Sequence, residues 1–156
     1  MPKTSAALLL YRHGGDGLEV LIAHMGGPFW ARKDAGAWSI PKGEFTDDEE
    51  PLAAARREFA EEMGSPPPDG EFAPLGTVKQ SGGKSVTTFA VEGDFDLAGF
   101  RSNTFELEWP RGSGKVREFP EVDRAAWVSV AIAREKLVKG QVPVMDALVE
   151  HLGSDT

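Results

Sequence analysis

A chain of 156 residues with 17 Lys and Arg against 25 Asp and Glu has a formal charge of −8, which disfavours a broad grip on a nucleic-acid polymer, because that needs many cations facing phosphates. Hydrophobic residues make up 40%, the composition of a folded chain, and the length suits one domain over 1–156. The longest apolar run, Ala6 to Tyr11, is far short of the roughly 20 residues that span a bilayer, no secretory leader is apparent, and with no cysteine disulfides, thiolate zinc and cysteine nucleophiles are excluded; a cytoplasmic protein without a membrane partner is expected.

In chain order, residues 6–12 (AALLLYR) and 18–24 (LEVLIAH) predict two strands of a hairpin turning through His13 to Gly17. Residues 25–37 are rich in Gly, Pro and charge and predict a loop carrying Phe29 and Trp30. AWSIP follows as a short extended piece stopped by Pro41. A helix is predicted over 49–63, with Asp47 and Asp48 as N-caps, acids near the positive helix end, Pro51 in the first turn, and Gly64 then Pro66 to Pro68 as its stop. Strands are predicted at 75–80 and 85–92 around a turn at Ser81-Gly82-Gly83. Another is predicted at 104–109, where Phe105, Leu107 and Trp109 alternate with Glu106 and Glu108. A basic loop (PRGSGKVR), an acidic segment (EFPEVD) and a short strand at Trp127-Val128 come next. Helices at 130–138 and 143–152, split by Gly140 and Pro143, complete an α/β pattern that predicts a mixed sheet covered on both faces.

On the helix over 49–63, at about 100° per residue, Glu58, Glu61 and Glu62 fall on one stripe, while Leu52, Ala55, Phe59 and Met63 fall on the neighbouring one and dock on the sheet. Like charges at i+3 and i+4 cost a helix a few tenths of a kcal/mol each. Such a cluster becomes useful when a hard divalent cation such as Mg²⁺ sits among the oxygens. The ordinary alternative is a solvated acidic face, with Arg57 partly neutralising Glu61 at i+4.

The residues around the stripe narrow the choice. From Gly43 the chain reads GEFTDDEEPLAAARREFAEEMGS: Gly, five residues, Glu49, seven residues, Arg57-Glu58, a bulky apolar residue, one residue, Glu61-Glu62, one residue, Gly64. This resembles the signature of the Nudix hydrolases, a loop–helix–loop that binds metal and diphosphate. Seven fixed positions at about 7% usage each match by chance about once in ~10⁸ starts. Phe59 and Ser65 depart from the family's aliphatic residues at their positions. The resemblance implies a Nudix-type α/β/α sandwich with a mixed β-sheet and an Mg²⁺-dependent hydrolase, with Mn²⁺ as a substitute, cleaving a phosphoanhydride bond of a small nucleotide.

It further implies that Glu58, Glu61 and Glu62 are metal ligands, that Arg57 and Glu49 form a buried pair holding loop and helix in register, and that Gly43 allows close approach of metal or phosphate. Glu58 is a reasonable base for the attacking water. An extra acidic ligand from a later loop is expected at Glu121 first and Glu118 second. Lys42 could reach a phosphate oxygen.

The stretch GAWSIPKGE, with Trp38 and Pro41-Lys42-Gly43, is similar to the segment before the signature in diadenosine polyphosphate hydrolases. That favours a dinucleoside polyphosphate or nucleoside triphosphate. The alternatives are an ADP-sugar or oxidised-nucleotide pyrophosphatase, or a nucleotide sensor that does not cut. Phe29, Trp30 and Trp109 are candidates to stack a base, and Lys79, Lys84, Arg101, Arg111, Lys115 and Arg117 to face further phosphates. Gly83-Lys84-Ser85 is not a P-loop, because position 78 is Val and a strand follows. Asp47 to Glu50 lacks the alternating ligands and central Gly of an EF-hand. Scattered tryptophans could equally form a homodimer face.

Overall fold

A computed structural model describes residues 4–14, 17–79 and 83–153. Nine strands and three helices are laid out among them in the order β1 (Thr4–Gly14), β2 (Gly17–Met25), β3 (Trp38–Ser39), β4 (Lys42–Glu44), α1 (Pro51–Met63), β5 (Ala73–Lys79), β6 (Ser85–Glu92), β7 (Thr104–Glu108), β8 (Val116–Pro120), β9 (Val122–Ser129), α2 (Val130–Lys136) and α3 (Val142–Gly153). The predicted turns at Gly15-Asp16 and Ser81-Gly82 lie outside the described residues.

The main sheet runs β3-β2-β1-β6-β5, with β4 also on β1 and β9 also on β2. β1 and β6 pair in parallel while the other pairings are antiparallel, so the sheet is mixed. β1 is apolar without alternation because both its faces are covered. Ala6, Leu8 and Leu10 meet α1 through Ala54, Ala55, Phe59 and Met63. Ala7 and Leu9 join the opposite core with Ala133 of α2 and Val144, Met145 and Leu148 of α3. This is the expected α/β/α sandwich. No helix among the described residues is long and apolar enough to cross a membrane.

Several boundaries differ from the sequence reading. α1 starts at Pro51, not at 49, and its N-cap is Glu50, without a side-chain cap bond, rather than Asp47 or Asp48. The proline explains this: it suits the first helical position, and it keeps the residue before it extended, as Glu50 is at ψ 140°. Leu52 is only half-buried, and Ala54 takes its place in the core. Lys42–Glu44, given no element from the sequence, form strand β4, and β8 takes the last two residues of the basic loop with the first three of the acidic segment. β8 pairs with β7 in a separate two-stranded sheet. Trp127-Val128 belong to the eight-residue β9. α2 ends at Lys136, and Pro143 lies inside the first turn of α3.

Two buried polar side chains tie segments together. Gln141, fully buried, accepts from the Ile40 amide at 2.8 Å and donates to Ser39 Oγ at 2.9 Å. This fixes a 3₁₀ turn at Lys139–Gln141 against β3. His24, also fully buried, faces Asp123 Oδ1 with Nδ1 at 2.8 Å and the Lys33 carbonyl with Nε2 at 2.6 Å.

Candidate active site

The acidic stripe of α1 is positioned by the helix's own packing. Phe59 is fully buried and meets Phe95 edge-on at 5.7 Å, so Glu58, Glu61 and Glu62 on the neighbouring arc turn toward β4. There they line one cavity of about 510 Å³ with Lys42, Gly43, Glu44, Lys84, Asn103 and Glu121. β4 stands across from the helix because its three residues pair with Ser5, Ala6 and Ala7 of β1. A side chain at Gly43 would fall on the Glu58 carboxyl group and push it from its present position.

Glu121 enters from the junction of β8 and β9, held by its backbone. Its amide donates to the Asn103 carbonyl and its own carbonyl accepts from the Gly26 amide, both at 2.9 Å. Residues 101–103 dock in turn on the C-terminal end of α1: the Arg101 amide bonds the Met63 carbonyl at 3.0 Å and the Asn103 amide the Glu61 carbonyl at 2.9 Å. They satisfy carbonyls that the helix end leaves without partners. Glu118 points elsewhere and accepts from Thr104 Oγ1 at 2.8 Å, so of the two loop acids it is Glu121 that shares the cavity.

Arg57 organises the stripe. Its Nε and one terminal nitrogen clasp both Glu49 oxygens at 2.8 and 2.9 Å, while the other terminal nitrogen reaches Glu58 at 2.8 Å and Glu61 at 3.2 Å. The Arg57–Glu49 pair has the expected partners but is not buried, with side chains 41% and 28% exposed. Charge-assisted bonds of this kind hold the Glu49 carboxyl below its usual range and raise the guanidinium further above its own. Burial pushes Glu58 up, with Arg57 opposing. Glu62 is pushed up to about 8, chiefly by burial, although the Lys42 amide donates to it at 3.2 Å. In these rotamers no three acidic or histidine side chains among the described residues close on a common point, because Glu58 and Glu61 are turned to Arg57.

The aromatic candidates separate. Trp38 is 5% exposed, with its indole N–H on Asp34 at 2.9 Å, His24 edge-on at 5.2 Å, and the Arg124 and Lys136 cations over the ring at 5.5 and 5.4 Å. It is a packing residue with no open face for a base, which corrects its expected placement in a substrate site. Phe29 and Trp109 meet each other edge-on at 5.3 Å. Trp30 lines a cleft beside the acidic cavity. Of the six loop cations named from the sequence, Lys84 lines the acidic cavity. Asn103 and Ser5 also line it and carry no sequence signal, since only the folded backbone brings them there.

A profile of the NUDIX domain matches residues 1–148, and the chain belongs to that family. It is a pyrophosphohydrolase by class. Solved structures with the same fold include Ap4A hydrolase of C. elegans in a binary complex (18% identity, TM-score 0.67, covering 96% of this chain and 98% of that one). The NUDIX domain of Shewanella oneidensis NrtR complexed with ADP ribose is also similar (16%, TM-score 0.66, 97% and 89%), as is the Nudix hydrolase RenU of M. smegmatis (23%, TM-score 0.63, 98% and 87%). At these identities the likeness is one of fold. No curated protein matches the sequence.

Proposed function

We propose that this protein is an Mg²⁺-dependent hydrolase of phosphoanhydride bonds in a small nucleotide, a dinucleoside polyphosphate or a nucleoside triphosphate. The observation that carries the reading is the meeting of Glu58, Glu61, Glu62 and Glu121 in one cavity whose facing wall is Lys42 and Gly43. The donor set fits a hard divalent cation: all four are carboxylates, and one is buried deeply enough to hold a proton where no cation offsets it. Glu58, Glu61, Glu62 and Glu121 would hold Mg²⁺, or Mn²⁺ in its place. Bound there, the ion would offset phosphate charge and make water more acidic.

The chain's own residues supply the remainder. Arg57 orients Glu58 and Glu61, Glu58 is the candidate to take the proton of the attacking water, Gly43 leaves room for the phosphate chain, and Lys42 offers it a positive charge. The charged signature positions are all filled, which supports catalysis over sensing. Glu58→Gln and Glu62→Gln are each expected to lower turnover by orders of magnitude while circular dichroism and melting stay those of a folded protein. Near-normal hydrolysis by either variant, across a panel of nucleotides with Mg²⁺, would refute the assignment. An ADP-sugar is the second reading, favoured by the ADP ribose complex of the NrtR domain; the same panel separates it.

A further inference from the structure

Next to the acidic cavity lies a cleft of about 380 Å³ walled by Met25 and Val138 and bordered by Trp30, Lys42, Lys84 and Lys139. Lys42 and Lys84 border both spaces, so one trench runs from the carboxylates, past this lysine pair, to Trp30 and Lys139. Neither Lys84 nor Lys139 forms an ion pair with any described residue, although the chain carries 25 acids. They come from distant parts of the sequence, one just before β6 and the other from the 3₁₀ turn after α2.

The position of Lys139 is built rather than incidental. Its turn is anchored by buried Gln141 on Ser39 and Ile40, and by the Val138 amide on the Trp38 carbonyl at 2.8 Å. Both lysines are exposed, and Lys84 also faces the carboxylates of the acidic cavity, so Lys139 is the cation that marks this end of the trench for an anion. Trp30, half-buried and with Lys33 Nζ 5.3 Å from its ring centroid, adds aromatic surface at the same end, which a base meets once that flexible lysine moves aside.

We propose that this cleft receives the part of the substrate beyond the bond that is cut: further phosphates on Lys84 and Lys139, and a second nucleoside against Trp30. The inference rests on the pyrophosphohydrolase reading and narrows its substrate to dinucleoside polyphosphates, over ADP-sugars, whose far end is a neutral ring that brings no charge to Lys139. Lys139 is then a specificity-determining residue.

The test compares kcat/KM for diadenosine tetraphosphate and for ADP-ribose in the wild type, Lys139→Ala, Lys84→Ala/Lys139→Ala and Lys139→Arg, alongside calorimetric binding of inorganic tripolyphosphate with Mg²⁺. The tetraphosphate-to-ADP-ribose ratio is expected to fall ten-fold or more in Lys139→Ala, mainly through KM. It should fall further in the double variant and return to within about three-fold in Lys139→Arg, since charge is what matters there. Tripolyphosphate should bind at least ten-fold more weakly to the double variant. An unchanged ratio in active variants overturns the cleft assignment and leaves the hydrolase reading standing. A wild type that cleaves neither compound nor any other member of the nucleotide panel, yet binds tripolyphosphate through these lysines, sinks the hydrolase reading and keeps the cleft.

Discussion

Arg57 is one guanidinium shared among three carboxylates, and it sits where a helix surface would otherwise repel itself. Removing it frees Glu58 and Glu61 without opening the core, because the group is 41% exposed. On the proposed metal-binding reading, Arg57→Ala is therefore expected to lower activity by about 10–100-fold, the usual cost of losing a group that orients a metal ligand. The melting temperature should move little, as for other exposed ion pairs. Mg²⁺ titration of the rate together with a thermal melt checks both halves. Arg57→Lys should recover little, since an ammonium cannot clasp Glu49 with two parallel bonds. At this scale the sequence was informative wherever candidate ligands share one helix: the spacing of Glu58, Glu61 and Glu62 alone puts them on one stripe. Glu121 needed the family resemblance, which ranked it ahead of Glu118, and the backbone bonds to Gly26 and Asn103 supply the physical reason that it shares the cavity. Trp38 misled because an indole next to Pro-Lys-Gly reads the same whether it stacks on a ligand or on Arg124 and Lys136.

At the scale of elements, the two ends of α1 are set by different means. Pro51 sets the first. Gly64 sets the second, in the left-handed region at φ 85°, where a side chain would also strike the Arg101 backbone. Gly64→Ala is expected to destabilise the protein by about 1–3 kcal/mol, read as a lower urea midpoint. Activity should fall with it, because the displaced segment 101–103 is the one that bonds Glu121. Elements built on buried apolar runs or on a helical stripe (β1, β2, β6, α1 and α3) were legible in advance. β4 and β8 were not. Lys42–Glu44 is a strand only because β1 offers it a partner, and Val116–Pro120 is mostly exposed with two of its five residues charged, so neither carries a periodic signal. Their strand character is written in their neighbours.

Across the whole molecule, the loop from Met25 to Ala37 joins the two sides of the trench, and polar bonds as well as packing hold it. Asp34 accepts from Lys136 Nζ at 2.7 and 2.9 Å and from the Trp38 indole. These bonds keep its carboxyl below the usual value. The folded protein thus takes up this proton less readily than the unfolded chain. The stability it contributes is complete above the ordinary aspartate range and is lost as pH falls through the lowered value. Asp34→Asn should melt below the wild type at neutral pH, and the gap should close below about pH 4, as paired melts across pH would record. His24 ties the same loop from its other side. Its two ring nitrogens face a carboxylate oxygen and a carbonyl oxygen, so the ring spans the loop and the strand that follows Glu121. The buried imidazole thus holds the loop that carries Trp30 to the strand that begins beside Glu121, and His24→Ala is expected to loosen that joint and lower the melting temperature, which a thermal melt records.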